Sequence, residues 1–343
     1  IQRNPSLAAF ADGGFVAAWD AYSDGSLCGI YARLFSSDGT AASSDFLINA
    51  TTASYQLNAD VTALSDGQFV VTWASYLQDG DNYGIYGRVF GRDGVAQSAE
   101  FQVNQYSTDF QSETRVKALV NGGFVVTWTS NLQDGGTTRV YARIYNSAGQ
   151  AAGDEFRVNV ETVYSQAHTT IAALNDGSFV VLFYDGDGVQ APYSGGDLSG
   201  RRFAADGTPM TGEFRANISD FMGTQSYPSA TALSDGGFVV AWETIDTSYT
   251  YANAIRAQRF DAAGNLTEAY TVATMPYDAA GTGKYLPKVA ARDDGGFTVT
   301  WSAKSADGSY DIFAKTYAAQ DITPTQTAST VTSDLQYEIA LQC

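Results

Sequence analysis

The chain alternates short apolar runs with tight-turn residues, and one apolar run recurs six times. The copies read GGFVAAW, GQFVVTW, GGFVVTW, GSFVVLF, GGFVVAW and GGFTVTW, and they end at positions 19, 73, 128, 183, 242 and 301. The intervals between these positions are 54, 55, 55, 59 and 59 residues. Five copies end in Trp, and these five are all the Trp residues of the chain. A fixed period of this length indicates a repeat architecture.

Each repeat contains four candidate strands. The first strand opens on Gln in five of the six repeats, and an Asp-Gly or Asn-Gly pair then precedes the apolar run. Such a pair between two apolar segments predicts a two-residue hairpin turn in which both turn residues have positive φ. A third strand of the GIYARLF type, a second turn and a short FxVN segment follow. Four antiparallel strands with one aromatic signature are typical of a propeller blade, so we predict an all-β, six-bladed β-propeller.

The predicted blades cover about residues 2–55, 56–110, 111–165, 166–224, 225–283 and 284–333. Segment 325–332 is a plausible outer strand of the sixth blade, and residues 334–343 form a tail that packs on or closes the ring. Cys28 and Cys343 are a candidate disulfide that would tie the two ends of the ring, worth about 3–5 kcal/mol in the loop-entropy model. Two unrelated thiols are the alternative.

Composition limits the classes of function. The 343 residues include 37 Asp and Glu but only 19 Lys and Arg, a net charge of −18, which argues against nucleic acid as a partner. No apolar run is long enough to cross a membrane as a helix. The chain begins at Ile1 without a signal-peptide pattern, so we expect a processed protein or part of a larger one. The acidic, cysteine-poor composition favours a secreted bacterial protein at the cell surface or outside the cell.

Signatures of enzymes are absent from the sequence. There is no GxSxG elbow, P-loop, HExxH or CxxC motif. The single histidine, His168, lies in an opening segment and is expected on the surface rather than as a catalytic base. The chain is therefore expected to be non-catalytic.

The loops between the second and third strands vary in length and chemistry, whereas the hairpin turns at the other face are short and uniform. Binding residues concentrate on variable loops of a rigid scaffold, which makes the variable face the expected functional face. Tyr beside Asp on the longest loops, in blades four and five, suggests a carbohydrate or peptide cleft, with ordinary loop composition as the alternative. The candidate ligand-binding residues are Tyr184, Asp185, Asp187, Tyr193, Asp197, Asp246, Tyr249 and Tyr251.

Asp next to Gly recurs in these loops and makes Ca²⁺ a possible cofactor. The candidate metal ligands are Asp79, Asp81, Asp185 and Asp187, because clustered carboxylate and carbonyl oxygens on a turn suit Ca²⁺. The same residues also favour turns for purely conformational reasons.

Two sets of first-strand positions are expected to face the channel, since side chains two apart share a strand face. The first set is Ser6, Asp60, Arg115, Thr170, Ser229 and Lys288, and the second, two residues later, is Ala8, Thr62, Lys117, Ala172, Thr231 and Ala290. They predict a mixed-charge ring near the channel entrance, in which Asp60 can pair with Arg115. A polar lining whose groups are satisfied by one another is the alternative.

Two further positions recur from blade to blade. A basic residue stands two before the last aromatic of the third strand, at Arg33, Arg88, Arg143, Arg201 and Lys315. This repetition indicates a scaffold role, although a lectin that uses one Arg per blade is an alternative. Asn also recurs at the end of the fourth strand, at Asn49, Asn104, Asn159 and Asn217, and with the opening Gln residues it predicts hydrogen bonds at the blade connections.

The repeat unit, with its D-G-G-F-V-V-T-W core followed by I-Y-A-R-x-F-x-x-D-G and E-F-x-V-N, resembles repeats in large secreted bacterial proteins. These are the hemolysin-type calcium-binding (RTX) and adhesin-like proteins. The resemblance covers about residues 2–318 and implies export, a surface location and calcium dependence. The glycine-rich nonapeptides that bind calcium in RTX proteins are not found in this chain.

Two functions remain open at this point. In the first, the propeller is a binding or scaffold module that docks a protein or matrix partner through its variable face. In the second, it is a carbohydrate-binding propeller or a glycan-active enzyme with a site at blades four and five.

Overall fold

The computed structural model describes residues 2–22, 27–160, 164–186, 196–218, 223–245, 253–275, 285–304 and 309–319. The strands of blade one are β1 (Gln2–Ala9), β2 (Phe15–Ala21), β3 (Gly29–Phe35) and β4 (Phe46–Leu47). Those of blade two are β5 (Gln56–Ala63), β6 (Phe69–Tyr76), β7 (Tyr83–Phe90) and β8 (Phe101–Gln102). Those of blade three are β9 (Gln111–Ala118), β10 (Phe124–Ser130), β11 (Arg139–Tyr145) and β12 (Phe156–Arg157).

The second half of the chain repeats this plan. Blade four has β13 (Gln166–Ala173), β14 (Phe179–Asp185), β15 (Asp197–Phe203) and β16 (Phe214–Arg215). Blade five has β17 (Thr224–Ala232), β18 (Phe238–Ile245), β19 (Asn253–Phe260) and β20 (Leu266–Met275). Blade six has β21 (Lys288–Ala291), β22 (Phe297–Lys304) and β23 (Tyr310–Tyr317) within the described residues.

Each blade is an antiparallel meander in which consecutive strands pair, and the predicted six-bladed propeller is confirmed. Five blades have four strands. The outer strand predicted for blade six, segment 325–332, lies outside the described residues, as does the tail at 334–343. In the part of the chain that is described, no helix is long and apolar enough to cross a membrane.

The hairpin between the first two strands differs from the predicted two-residue turn. In blade one, Phe10 O accepts from Gly13 N at 3.0 Å and Phe10 N donates to Gly14 O at 2.7 Å. Gly13 has a φ of 83°, whereas Asp12 is not in the positive-φ region. Asp12 Oδ1 instead accepts from Gly14 N at 2.9 Å. The loop is therefore a three-residue turn that closes on a glycine in the left-handed region, so only the glycine needs positive φ.

The hydrophobic core lies between adjacent blades rather than within one sheet. Apolar residues of the second strand of one blade pack against those of the next, as Trp73 of blade two packs with Val61 and with residues of blade one. Trp73, Trp128, Trp242 and Phe183 at the signature position are fully buried. Trp73 Nε1 also donates to Gln56 Oε1 at 3.1 Å, so the opening Gln satisfies the one polar group of the indole.

The recurring Asn residues bond the start of the third strand, as the sequence predicted. Asn104 Oδ1 accepts from Ile85 N at 2.7 Å, and its amide donates to Gln111 Oε1 at 3.2 Å. Asn159 makes the corresponding bonds to Val140 N at 3.0 Å and to Gln166 Oε1 at 3.1 Å. Each Asn therefore ties the outer strand of one blade to the first residue of the next.

Four of the five recurring basic residues link neighbouring blades, which supports their predicted scaffold role, whereas Arg33 pairs with Asp45 of its own blade. Nη1 of Arg88, Arg143 and Arg201 donates to a backbone carbonyl of the preceding blade, that of Ile48, Val103 and Val158 respectively, at 3.1 Å in each case. Lys315 Nζ makes the same bond to Val272 O at 3.1 Å. These cations are held by the scaffold, so they do not point to one sugar site per blade.

Candidate functional site

A cavity of about 280 Å³ opens at the centre of the propeller, and first-strand residues of all six blades line it. The side chains that line it form three rings at increasing depth from the opening. The mouth ring consists of Asn4, Asn58, Glu113, His168, Tyr227 and Leu286. The middle ring consists of Ser6, Asp60, Arg115, Thr170, Ser229 and Lys288. Below it lies an inner ring, of which Lys117, Thr231 and Ala290 line the cavity.

The mouth ring is built by the same backbone irregularity in every blade. All six residues have positive φ, from 44° at Leu286 to 58° at Asn58. In blades one to five the pairing register of the first and second strands shifts beside this residue, which marks a β-bulge. Positive φ is strained for bulky residues such as Tyr227 and His168, and such strain concentrates at functional sites. The bulge turns each of these side chains into the channel opening.

Glu113, His168 and Tyr227 form a contiguous group on the mouth ring. Glu113 Oε2 accepts from the backbone N of His168 at 2.8 Å, and Glu113 Oε1 lies 3.4 Å from His168 Nε2. The imidazole stacks on the Tyr227 ring with centroids 4.3 Å apart and an interplanar angle of 25°. The Tyr184 ring lies 5.9 Å from the imidazole on another side. A carboxylate therefore adjoins a flat aromatic surface at the opening.

At blades one and two the mouth ring consists of the uncharged amide side chains of Asn4 and Asn58. Asn4 Nδ2 donates to Asn58 Oδ1 at 3.2 Å and to Asp20 Oδ2 at 2.7 Å. Asp20 is 3% exposed, and this burial raises the pKa of its carboxyl to about 6. The two exposed amides offer hydrogen-bond donors and acceptors without charge.

The sequence placed the middle ring correctly, since all six of its residues line the cavity. The predicted pairing of Asp60 with Arg115 is wrong, because no ion pair joins them among the described residues. Asp60 Oδ1 accepts from Ser6 Oγ at 2.7 Å, and Asp60 Oδ2 accepts from Val116 N at 2.8 Å. Arg115 Nη1 donates to the carbonyl of Thr114 at 2.8 Å.

A row of aromatic rings, here the aromatic ridge, runs along the same face at blades two and three. It consists of Tyr55, Tyr76, Tyr83 and Phe110, whose successive ring centroids are 6.5, 4.9 and 5.4 Å apart. Burial and the neighbouring phenols raise the pKa of Tyr83 above its usual value. Phe110 is 39% exposed and lies three residues before Glu113 of the mouth ring. The ridge therefore ends just before β9, the strand that carries Glu113.

The ligand residues predicted on blades four and five are only partly described. Asp187, Tyr193, Asp246, Tyr249 and Tyr251 lie outside the described residues.

Three of the predicted ligand residues are described. Asp185 is 3% exposed, and its carboxylate accepts from Gln166 Nε2 at 3.1 Å and from Ser199 Oγ at 3.4 Å. Asp197, also 3% exposed, forms an ion pair with Arg215. Both carboxylates thus bond within the blade, whereas Tyr184 adjoins the mouth ring. Ligand binding by the eight predicted residues stays a prediction.

The candidate metal ligands Asp79 and Asp81 accept hydrogen bonds from neighbouring segments of the protein. Asp79 Oδ2 accepts from Gln102 Nε2 at 3.2 Å, and Asp81 Oδ2 accepts from Asp109 N at 3.0 Å. Burial raises the pKa of Asp79. Among the described residues, no three His, Cys, Asp or Glu side chains are grouped to hold a metal ion. Asp187 lies outside them, so calcium binding stays a prediction without support from the described loops.

Cys28 is fully buried where blade one meets blade two, and its carbonyl accepts from Gln56 N at 3.0 Å. Cys343 lies outside the described residues, so the disulfide stays a prediction.

The mouth ring was not singled out from the sequence. Its members share neither size nor charge, and only their common spacing from the opening Gln could have marked them. His168 was expected on the surface, but its side chain is 27% exposed and packs between two tyrosines.

Several solved structures are similar to this chain. A protein of unknown function from Dyadobacter fermentans has a TM-score of 0.63 at 12% identity, over 92% of this chain and 93% of that one. An α-L-arabinanase from Penicillium chrysogenum, complexed with arabinobiose, has a TM-score of 0.58 at 13% identity, over 94% of each chain. The Hadza microbial sialidase Hz136 has a TM-score of 0.57 at 12% identity, over 91% of this chain and 65% of the sialidase. At these identities the likeness shows the fold alone.

The resemblance to RTX and adhesin-like repeats is wrong. No family model matches the chain, and no curated protein matches it. The structures that share its fold across more than nine-tenths of its length are propellers of other kinds, an arabinanase and arabinofuranosidases among them. A recurring GGFVVTW core reflects the packing needs of a blade, and packing alone does not identify a family.

Proposed function

We propose that this protein is a carbohydrate-binding propeller whose ligand enters the channel at the mouth ring. The observation that carries the proposal is the stacked pair of Tyr227 and His168 beside the carboxylate of Glu113. Sugar rings present apolar C–H faces that pack on aromatic rings, and hydroxyls that donate to carboxylates. The carbohydrate hypothesis thus gains support over docking of a protein partner.

The aromatic ridge extends this surface away from the channel. A chain of several sugars can lie across Tyr83 and Phe110 while its end enters the cavity. Two similar structures are complexes with arabinobiose, a disaccharide. An exported protein, as the composition suggests, would meet such glycans outside the cell.

We propose binding without turnover. Hydrolysis of a glycosidic bond uses two carboxyl groups, one as an acid and the other as a base or nucleophile. The two carboxylates among the described lining residues, Asp60 and Glu113, each accept hydrogen bonds from protein donors.

The test is binding of the purified chain to immobilised plant and bacterial polysaccharides, followed by calorimetry with oligosaccharides of any polysaccharide retained. We expect binding that Tyr227→Ala weakens at least tenfold. Val120→Ala serves as the control, since this side chain is 62% exposed at a hairpin turn of the opposite face. Failure of every glycan to bind would contradict the proposal. Release of reducing sugar from any of them would replace binding with hydrolysis.

A further inference from the structure

The middle ring links neighbouring blades through a repeated hydrogen bond. Ser6 Oγ accepts from Val61 N at 3.3 Å, and Asp60 Oδ2 accepts from Val116 N at 2.8 Å. Thr170 Oγ1 accepts from Ala230 N at 3.1 Å, and Ser229 Oγ accepts from Val289 N at 3.1 Å. In these four blades the side chain therefore satisfies a backbone N–H of the next blade.

Arg115 and Lys288 depart from this pattern. Both side chains carry donors only, so neither can accept a hydrogen bond from the next blade. Four other blades use the position to accept this bond from the next blade, and the two cations cannot. Side chains that break a repeated structural rule are candidates for function. Both line the central cavity.

Lys117 adds a third cation one level deeper. It follows Arg115 by two residues on β9, so both side chains face the channel, below Glu113 on the same strand. Within the described part of the chain its ammonium has no hydrogen bond or ion pair, although the field of Asp60 acts on it. Desolvation lowers the pKa of Lys117. Burial therefore disfavours the charged form of Lys117, and an anion in the cavity would stabilise that form.

The balance of charge in the cavity differs from that of the whole chain. Arg115, Lys117 and Lys288 outnumber the two lining carboxylates, Asp60 and Glu113. The whole chain carries 37 acidic residues against 19 basic ones. The channel floor, formed by Arg115, Lys117 and Lys288, is thus locally basic in an acidic protein. It suits an anionic group that enters through the polar and aromatic mouth ring.

We propose that the channel floor binds the anionic group, carboxylate or sulfate ester, of an acidic saccharide. This inference rests on the proposed function and names its ligand class. The sugar ring lies against Tyr227 and His168 at the mouth, while its anionic oxygens face Arg115, Lys117 and Lys288. Asp60 is held by Ser6 and Val116, which keeps its carboxylate turned towards the protein.

The experiment is isothermal titration calorimetry with three oligosaccharides of similar length, namely trigalacturonate, a sulfated galactose oligosaccharide and neutral galactotriose. The variants are Lys117→Met, Lys117→Arg and, as the matched control, Lys304→Met, whose exposed side chain lies outside the cavity. Thermal melts confirm that each variant is folded.

We expect an acidic oligosaccharide to bind at least tenfold more tightly than galactotriose. Lys117→Met should remove this preference, Lys117→Arg should retain most of it, and Lys304→Met should leave it unchanged. The acidic ligand that binds more tightly identifies carboxylate or sulfate as the source of the charge. Equal binding of neutral and acidic ligands would overturn the inference and leave the proposed function standing. Binding of galactotriose alone would have the same meaning. Binding of none of the three would also overturn the inference, and the proposed function falls with it only if the polysaccharide screen retains no glycan.

Discussion

The carboxylate of Glu113 accepts a hydrogen bond at 2.8 Å from the backbone N–H of His168, a residue of the next blade. Both residues have positive φ at equivalent bulges, with values of 54° and 51°. A side chain of blade three thus fixes the main chain of blade four at the point where the imidazole turns into the channel. The stack of His168 on Tyr227 depends on that position.

Replacement of Glu113 should separate its structural role from its charge. Glu113→Gln keeps a carbonyl oxygen for the His168 N–H, so we expect a loss of less than about 0.5 kcal/mol in the free energy of unfolding. Glu113→Ala leaves this half-buried donor without its partner and should cost about 1–2 kcal/mol. Urea denaturation measures both changes. Equal losses for the two variants would show that the hydrogen bond does not hold the bulge.

Asp20 should make the protein less stable as the pH rises. Burial raises its pKa from 3.8 to about 6 in the folded protein, so the folded state binds more protons than the unfolded state between these values. The contribution of Asp20 to the free energy of unfolding therefore falls by about 2 kcal/mol from pH 4 to pH 6, and by about 3 kcal/mol over the whole titration, because each pKa unit corresponds to about 1.4 kcal/mol.

The variant Asp20→Asn removes this titration and should flatten the pH profile over that range. Urea denaturation at pH 4, 5, 6 and 7 measures the difference between the wild type and the variant. The partner amide of Asn4 can still donate to the carboxamide oxygen. A wild-type profile parallel to that of the variant would contradict the raised pKa.

Arg143 should contribute to stability through its bonds between blades. Its guanidinium donates to Val103 O at 3.1 Å and to Gly153 O at 2.9 Å, and it lies over the Tyr145 ring. We expect Arg143→Met to cost about 1–3 kcal/mol, since two carbonyls lose a charged donor. Arg292→Met is the control, because that arginine forms an exposed ion pair with Asp294 and should cost less than about 0.5 kcal/mol. Similar losses in thermal melts would argue against the scaffold role.

Asn104 should be among the costlier polar residues to replace. It is 3% exposed, its side-chain oxygen accepts from Ile85 N at 2.7 Å, and its amide donates to Tyr106 O at 2.9 Å. We expect Asn104→Ala to lower the free energy of unfolding by about 2–3 kcal/mol, because buried backbone groups lose their partners. The exposed turn residue Asn146 provides the comparison, and Asn146→Ala should cost less than half as much. A smaller loss at Asn104 than at Asn146 would refute this account.

Most of the scaffold could be predicted from the sequence because its causes are local and repeated. The blades share an aromatic at the signature position and a turn glycine, and the first four share an Asn at the outer strand, so Trp73, Gly67 and Asn104 have equivalents at a fixed period. The turn type was mispredicted, since a dipeptide such as Asp12-Gly13 fits both a two-residue and a three-residue hairpin. The choice between them depends on the backbone hydrogen bonds of Phe10, which the residue types alone do not specify.

The candidate site was only partly predictable. The middle ring, with Asp60 and Arg115, follows from strand alternation, because side chains two apart share a face. The mouth ring does not, because a bulge breaks that alternation and turns His168 and Tyr227 towards the channel. The predicted ligand residues Asp185 and Asp197 illustrate the opposite case, since their burial within a blade depends on how the strands pair.

The sequence by itself determined the repeat, the number of blades and the face on which loops vary, because each of these depends on residues close together in the chain. Only the tertiary structure brought Glu113, His168 and Tyr227 into contact, since they belong to three different blades. It likewise placed Arg115, Lys117 and Lys288 around one cavity. These residues become neighbours because the sheets close around a central axis. The repeat period fixes spacing along the chain but not the distances across the channel.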